Sequence, residues 1–142
     1  IDTPTRQVVS YSLDVASASL GPAEVLIDFA GDPALPDGAI LTPDGSGLIV
    51  AMFRPEVAAC GETRWYDLAS GELQCTWQTP GSPQNTCPAL VRVEGVLKLL
   101  ITTAVENLTS EDQQRCPNAG QLFIADIDVD DRGGPLTDSY QA

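Results

Sequence analysis

No histidine occurs among the 142 residues, and lysine occurs only once. Without histidine the chain holds no Ser-His-Asp triad, no Cys-His nucleophile pair and no His-ligated zinc. Any metal must sit on oxygen ligands, which favours hard cations such as calcium or magnesium. Basic residues are also scarce, 7 against 20 acidic ones, for a net charge of −13. Phosphate backbones and anionic membrane surfaces need clustered Lys and Arg, so neither nucleic acid nor a membrane is an expected partner. The simplest reading of the acidity is a well-solvated surface. No apolar run approaches the ~18 residues of a membrane-spanning helix. The greasiest stretch, 97–104, is strand-length. Residue 1 is Ile, and the segment after it lacks the charged and apolar regions of a secretion signal. The chain is therefore expected to be processed, cloned as a piece or trimmed. A cytoplasmic location is expected, with a periplasmic or secreted one as the alternative.

Four cysteines, Cys60, Cys75, Cys87 and Cys116, show no C-x-x-C spacing, which argues against a zinc ribbon. Three pairings are possible. Free buried thiols are the expected state, with a Cys87–Cys116 bridge as the alternative, because both residues precede prolines in loops leading into strands.

What is present is a period of two. β-Branched and aromatic residues alternate with polar ones between clusters of Gly, Pro, Asp and Ser. Strands are expected at 5–13 and 24–29, joined by a loop ending in Leu20-Gly21-Pro22. Hairpins are expected at 39–42/48–53 around Pro43-Asp44-Gly45-Ser46-Gly47, and at 63–68/72–77 around Ala69-Ser70-Gly71. Further strands are expected at 89–93, 96–103 and 121–127. Helix signal is confined to one turn at 110–115.

A weak internal repeat runs through this pattern. The segment 47–53 (GLIVAMF) aligns with 98–104 (KLLITTA), and 61–68 (GETRWYDL) aligns with 120–127 (GQLFIADI). Units of about 40–50 residues with four short strands are the signature of propeller blades. The expected fold is all-β: a partial six-bladed β-propeller of about two and a half blades of four-stranded antiparallel sheet. The outer half of a blade lies at 1–30, a complete blade at 35–79, most of the next at 86–130 and a tail at 131–142. Each blade buries its faces only against neighbours. Another segment or chain is therefore expected to complete the ring; a three-layered sandwich folding alone is the alternative.

Leu35-Pro36-Asp37-Gly38 sits at the mouth of the first strand of the complete blade, which aims the Asp37 carboxylate at the propeller axis. A cation there could hold a carbonyl oxygen and acidify a water. The second Pro-Asp-Gly, with Asp44, lies at a hairpin tip and reads as a plain turn. Trp65, Tyr66 and Trp77 read as packing between blades and not as sugar-stacking surfaces.

An ordered series of segments resembles the C-terminal half of the family of senescence marker protein 30, gluconolactonase and luciferin-regenerating enzyme. The series is 1–8 (IDTPTRQV), 35–38 (LPDG), 48–51 (LIVA), Asp67 with Ser70-Gly71, 102–104 (TTA) and 119–123 (AGQLF). The resemblance implies a six-bladed propeller with one divalent cation in its channel: calcium, or alternatively zinc, magnesium or manganese. It implies a metal-dependent hydrolase of sugar lactones or related esters, active only with the missing N-terminal blades. Asp37 would be both metal ligand and catalytic group, and the remaining ligands, a glutamate and asparagines, would come from earlier blades. Met52, Phe53, Arg54, Thr86, Cys87 and Thr103 would line the substrate pocket. Where the family has Phe-Gly-Gly, this chain has Ala89-Leu90-Val91-Arg92, so the pocket wall is expected to differ. The loop 105–119, with Glu106, Glu111 and Asp112, would either cover the site or be solvated. The alternative function is a non-catalytic propeller module serving binding or interaction.

Overall fold

A computed structural model describes residues 1–129. The expected tail at 131–142, and residue 130 before it, lie outside the described residues. Nine strands form three antiparallel sheets. The first pairs β1 (Gln7–Asp14) with β2 (Ser19–Asp28). The second is a meander of β3 (Leu35–Leu41), β4 (Gly47–Phe53), β5 (Cys60–Asp67) and β6 (Leu73–Pro80). The third orders β7 (Asn85–Val93), β8 (Val96–Thr103) and β9 (Leu122–Asp126). The helix α1 (Ser110–Arg115) covers the single turn expected from sequence. Among the described residues, no helix is long and apolar enough to cross a membrane.

The first hairpin differs from expectation. Its loop is only 15–18, because Gly21 and Pro22 lie inside β2 and not in the connection. The register skips from Tyr11↔Ala23 to Leu13↔Leu20, so the two residues fall in an irregularity of the ladder. Proline has no N–H to donate, and a two-stranded sheet has no third strand needing one. Gly-Pro, expected to end the strand, here only bends it.

Strand β4 shows why the sheets stack. Ile49, Val50, Ala51 and Met52 are all fully buried, although a sheet with one wet face would alternate. Val50 and Met52 join Val8, Ile27, Phe29 and Tyr66 in a core between the first and second sheets. Ile49 joins Leu90, Leu97, Leu99 and Ile101 between the second and third. Tyr66 meets Phe29 edge-on, with ring centroids 5.6 Å apart. Trp65 and Trp77 pack against the second core, and the Trp77 indole N–H donates to Asp126 O at 2.9 Å, tying β6 to β9. The three aromatics are therefore inter-sheet packing.

A charged clasp closes the other flank. Arg64 holds Asp32 at 2.5 Å and Glu62 at 2.6 Å, and Arg6 donates to the Asp32 carbonyl at 2.5 Å. Burial pushes the Asp32 carboxyl up, but hydrogen bonds from Arg64 and the Ala34 N–H outweigh it and hold the carboxyl below its usual range. A carboxylate whose folded pKa is depressed adds stability above its unfolded pKa, near 4, and loses it as pH falls toward the folded value. Asp32→Asn is accordingly expected to cost about 1–2 kcal/mol at pH 7, a figure discounted for partial exposure. In urea melts, the gap to wild type should close as pH drops below about 4; a gap independent of pH would show that the carboxylate charge is not the source.

Candidate metal and substrate site

The site grows from the two ladders that start the second and third sheets. In β3, Pro36 pairs with Met52 and Ala39 with Val50, leaving Asp37 and Gly38 together opposite Ala51. Two residues against one is a bulge, which re-aims a side chain at a strand end. β7 has its own irregularity between Asn85 and Cys87, which leaves Thr86 out of register. The two first strands touch at these points. A Cβ on Gly38 would lie 2.5 Å from the Thr86 carbonyl oxygen and 2.9 Å from Cys87 Cα. Glycine is required because backbone meets backbone.

The two Pro-Asp-Gly tripeptides behave differently. Asp44 is satisfied locally, accepting from Thr42 Oγ1 at 2.6 Å, Ser46 Oγ at 2.7 Å and Ser46 N at 3.1 Å. These bonds pull its carboxyl down to about 2. Asp37 makes no such turn. Among the described residues, no hydrogen bond or ion pair engages its half-buried carboxylate. Burial and the nearby Glu106 carboxylate both push its pKa up. A partly desolvated carboxylate with no donor and a like charge beside it is a natural cation ligand.

The backbone of Glu106 is held by Gln84. The fully buried Gln84 side chain donates from Nε2 to the Glu106 carbonyl at 2.8 Å, while its Oε1 accepts from the Glu106 N–H at 2.7 Å. The Gln84 backbone accepts from Ala104 N at 2.9 Å and bridges to Phe53. In the sequence Glu106 is one acidic residue of a loop, and a contact across 22 positions leaves no local signal. The loop 105–119 is anchored: Leu108 and Cys116 are buried, and Asn118 donates to Pro80 O at 2.9 Å.

Of the expected pocket residues, Phe53 and Thr103 end β4 and β8, and Thr86 and Cys87, near the start of β7, meet Gly38, the residue after Asp37. Phe53 pairs with Leu35. Thr86 Oγ1 lies 2.6 Å from Thr102 Oγ1, which also accepts from Cys87 N at 3.0 Å. Thr103 pairs with Asn85, and its hydroxyl donates to Gln121 O at 2.7 Å. All four cysteines are free, but only Cys116 is buried and Cys87 is exposed, which corrects the expectation of four buried thiols. Two other residues are placed elsewhere. Arg54 lines a 60 Å³ cleft with Asp32, Glu62 and Arg64. Met52 floors that same cleft as a fully buried member of the first core. Alternation explains the misplacement: Met52 follows Ala51 on β4 and turns to the opposite face, into the first core. Met52→Ala is thus expected to cost about 2–5 kcal/mol in chemical denaturation; unchanged stability would remove Met52 from the core.

Among the described residues, no three His, Cys, Asp or Glu side chains converge on one point. The described residues therefore do not form a metal centre by themselves; the Asp37 carboxylate is of the oxygen-donor type that suits a hard divalent ion.

Comparison with known proteins agrees with this architecture. Residues 1–105 match the family model described as SMP-30/Gluconolactonase/LRE-like region. The YvrE protein of Bacillus subtilis (strain 168), whose name assigns it provisionally to the sugar lactone lactonases, is 31% identical over 131 residues. That match covers 91% of this chain and 41% of YvrE. Regucalcin from Agrobacterium tumefaciens str. C58, described as a calcium-binding protein, superposes with a TM-score of 0.72 at 26% identity, over 87% of this chain and 39% of its own. A luciferin-regenerating enzyme superposes with a TM-score of 0.68 at 24% identity, with the same two coverages, and bears on the fold alone. The chain thus spans about two fifths of the length of these relatives. Its stacked radial sheets are part of a β-propeller, and the chain belongs to the SMP-30/gluconolactonase/LRE-like family.

Proposed function

We propose that this chain supplies part of the site of a metal-dependent hydrolase of sugar lactones or related esters, within a propeller ring closed by an N-terminal segment or a second chain. The observation that carries this reading is Asp37: a half-buried carboxylate at a strand-end bulge, without a hydrogen-bond donor among the described residues. The lactonase name of YvrE and the calcium-binding description of regucalcin support it.

Asp37 would hold the cation, with calcium favoured and zinc, magnesium or manganese as alternatives. A divalent ion so bound supplies a Lewis acid for the carbonyl oxygen of the substrate. The Asp37 carboxylate orients a water and accepts its proton as the oxygen attacks the carbonyl carbon. The ring C–O bond then breaks, the departing oxygen takes up a proton, and a hydroxy acid leaves. The Phe53, Thr86, Cys87 and Thr103 edge forms one wall for the sugar.

Metal removal tests this reading. Full-length protein treated with EDTA is expected to lose at least ~100-fold in lactone hydrolysis by pH-stat, the scale of a lost general base and its electrophile, and to recover on adding calcium. Activity that survives chelation would overturn the metal dependence, and no activity with any divalent ion would favour the non-catalytic binding module.

A further inference from the structure

We infer that the cleft beside Arg54 is a binding site for a small carboxylate, independent of the cation site proposed at Asp37. Arg54 leaves the end of β4 two residues after Met52, and both line the cleft, so the guanidinium lies over the first core. Its backbone N–H donates to Pro83 O at 3.1 Å, which fixes the point from which the side chain starts. The guanidinium Nε is buried and has no hydrogen-bond partner. Among the described residues, no ion pair engages the half-buried side chain. A buried N–H without an acceptor is costly, and a desolvated charge without a counter-charge more so.

The neighbouring charges do not answer it. Asp32 and Glu62, the two carboxylates of the cleft, are both held by Arg64, at 2.5 and 2.6 Å. Arg6 joins the same cluster by donating to the Asp32 carbonyl. Three guanidinium groups thus stand with two carboxylates, and the Arg54 side chain is the one left without an acceptor. The cleft holds 60 Å³, several times what one water needs. Water would satisfy the N–H but not the charge; a carboxylate answers both. Its two oxygens match the fork made by Nε–H and a terminal N–H of the guanidinium. The buried residues Ala34, Met52 and Pro83 line the rest of the cleft. That apolar wall suits a short alkyl end and, by keeping water out, strengthens the ion pair. A phosphate would bring more charge and nothing apolar to set against it.

The test is NMR saturation transfer to the methyl group of acetate, added to the full-length protein at neutral pH with sodium chloride holding the ionic strength constant, for wild type, Arg54→Gln and Arg54→Lys. Wild type is expected to transfer saturation to the methyl group with an apparent Kd on the order of millimolar, the scale open to so small a ligand. Arg54→Gln should weaken binding at least ~10-fold, as removal of one partner of a buried charge pair does. Arg54→Lys keeps the charge but not the fork and should fall between the two. Wild-type transfer in either variant would put the acetate elsewhere and overturn the proposal. No saturable transfer in the wild type would show that water alone fills the cleft and would overturn it equally. Neither result touches the reading of Asp37. Should Arg54→Gln fail to fold, Arg54→Lys decides.

Discussion

Replacing Asp37 by alanine in the full-length protein is expected to abolish both the calcium binding and the lactone hydrolysis proposed for it, with kcat/KM falling at least ~10³-fold. The size follows from asking one group to do two things. A carboxylate ligand lost from a divalent site lowers occupancy, and a general base lost from the same place removes about 10²–10⁴-fold on its own. Stability should move the other way. Burial and Glu106 hold the Asp37 carboxyl above its usual range, so in the metal-free fold its ionised form is destabilising. The sign is opposite to that at Asp32: a carboxylate with a raised folded pKa costs stability above that pKa, and the cost fades as pH falls through it. The metal-free Asp37→Ala protein should therefore melt at or above the metal-free wild type at neutral pH. Calcium should raise the melting temperature of the wild type only. A variant that keeps full activity, or loses it together with the fold, would remove Asp37 from the chemistry.

The second large effect is expected one residue later. Gly38→Ala adds a single carbon, but its two nearest neighbours, at 2.5 and 2.9 Å, are backbone atoms of Thr86 and Cys87. A side chain could swing aside; a strand held by the ladder from Cys87↔Thr102 to Val93↔Val96 cannot. The two first strands must part, at about 1–3 kcal/mol, the cost of overpacking a closely fitted interior. That displacement moves the Asp37 bulge relative to Thr86, so calcium affinity should fall together with the denaturation midpoint. Gly45→Ala provides the contrast. Its φ of 75° disfavours a side chain, but nothing lies within 4 Å of the added carbon. It should cost only about 1 kcal/mol, from backbone strain, and leave calcium binding untouched. Equal effects of the two substitutions on binding would show that strand separation is not what matters at Gly38.

Both predictions rest on a bulge that a linear reading locates but does not shape. Leu35-Pro36-Asp37-Gly38 and Thr42-Pro43-Asp44-Gly45 carry the same tripeptide, and turn chemistry alone treats them alike. Asp44 has Thr42 and Ser46 beside it in sequence and closes its own hydrogen bonds. Asp37 is followed by Gly38, Ala39 and Ile40, which offer no hydroxyl. That difference is legible in the sequence. Its consequence is not, because the Glu106 charge that acts on Asp37 sits on a loop held by Gln84, in the connection before β7.

The same division runs through the rest of the chain. Alternation, hairpin residues and the internal repeat determined the strands, the all-β class and the stacking of sheets through β4, because these depend on side-chain period and local backbone preference. They also placed Phe53 and Thr103 at strand ends, whereas Thr86 and Cys87 fall inside β7, which starts at Asn85 and not at 89 as expected. Only the tertiary structure decided that Met52 is core, that Arg54 turns to the Asp32–Arg64 clasp, that Gly-Pro bends β2 without ending it, and that Gln84 holds the Glu106 backbone. Each depends on which face or which partner a residue meets across a sheet boundary. Such encounters are set by long-range packing, and no period in the sequence records them.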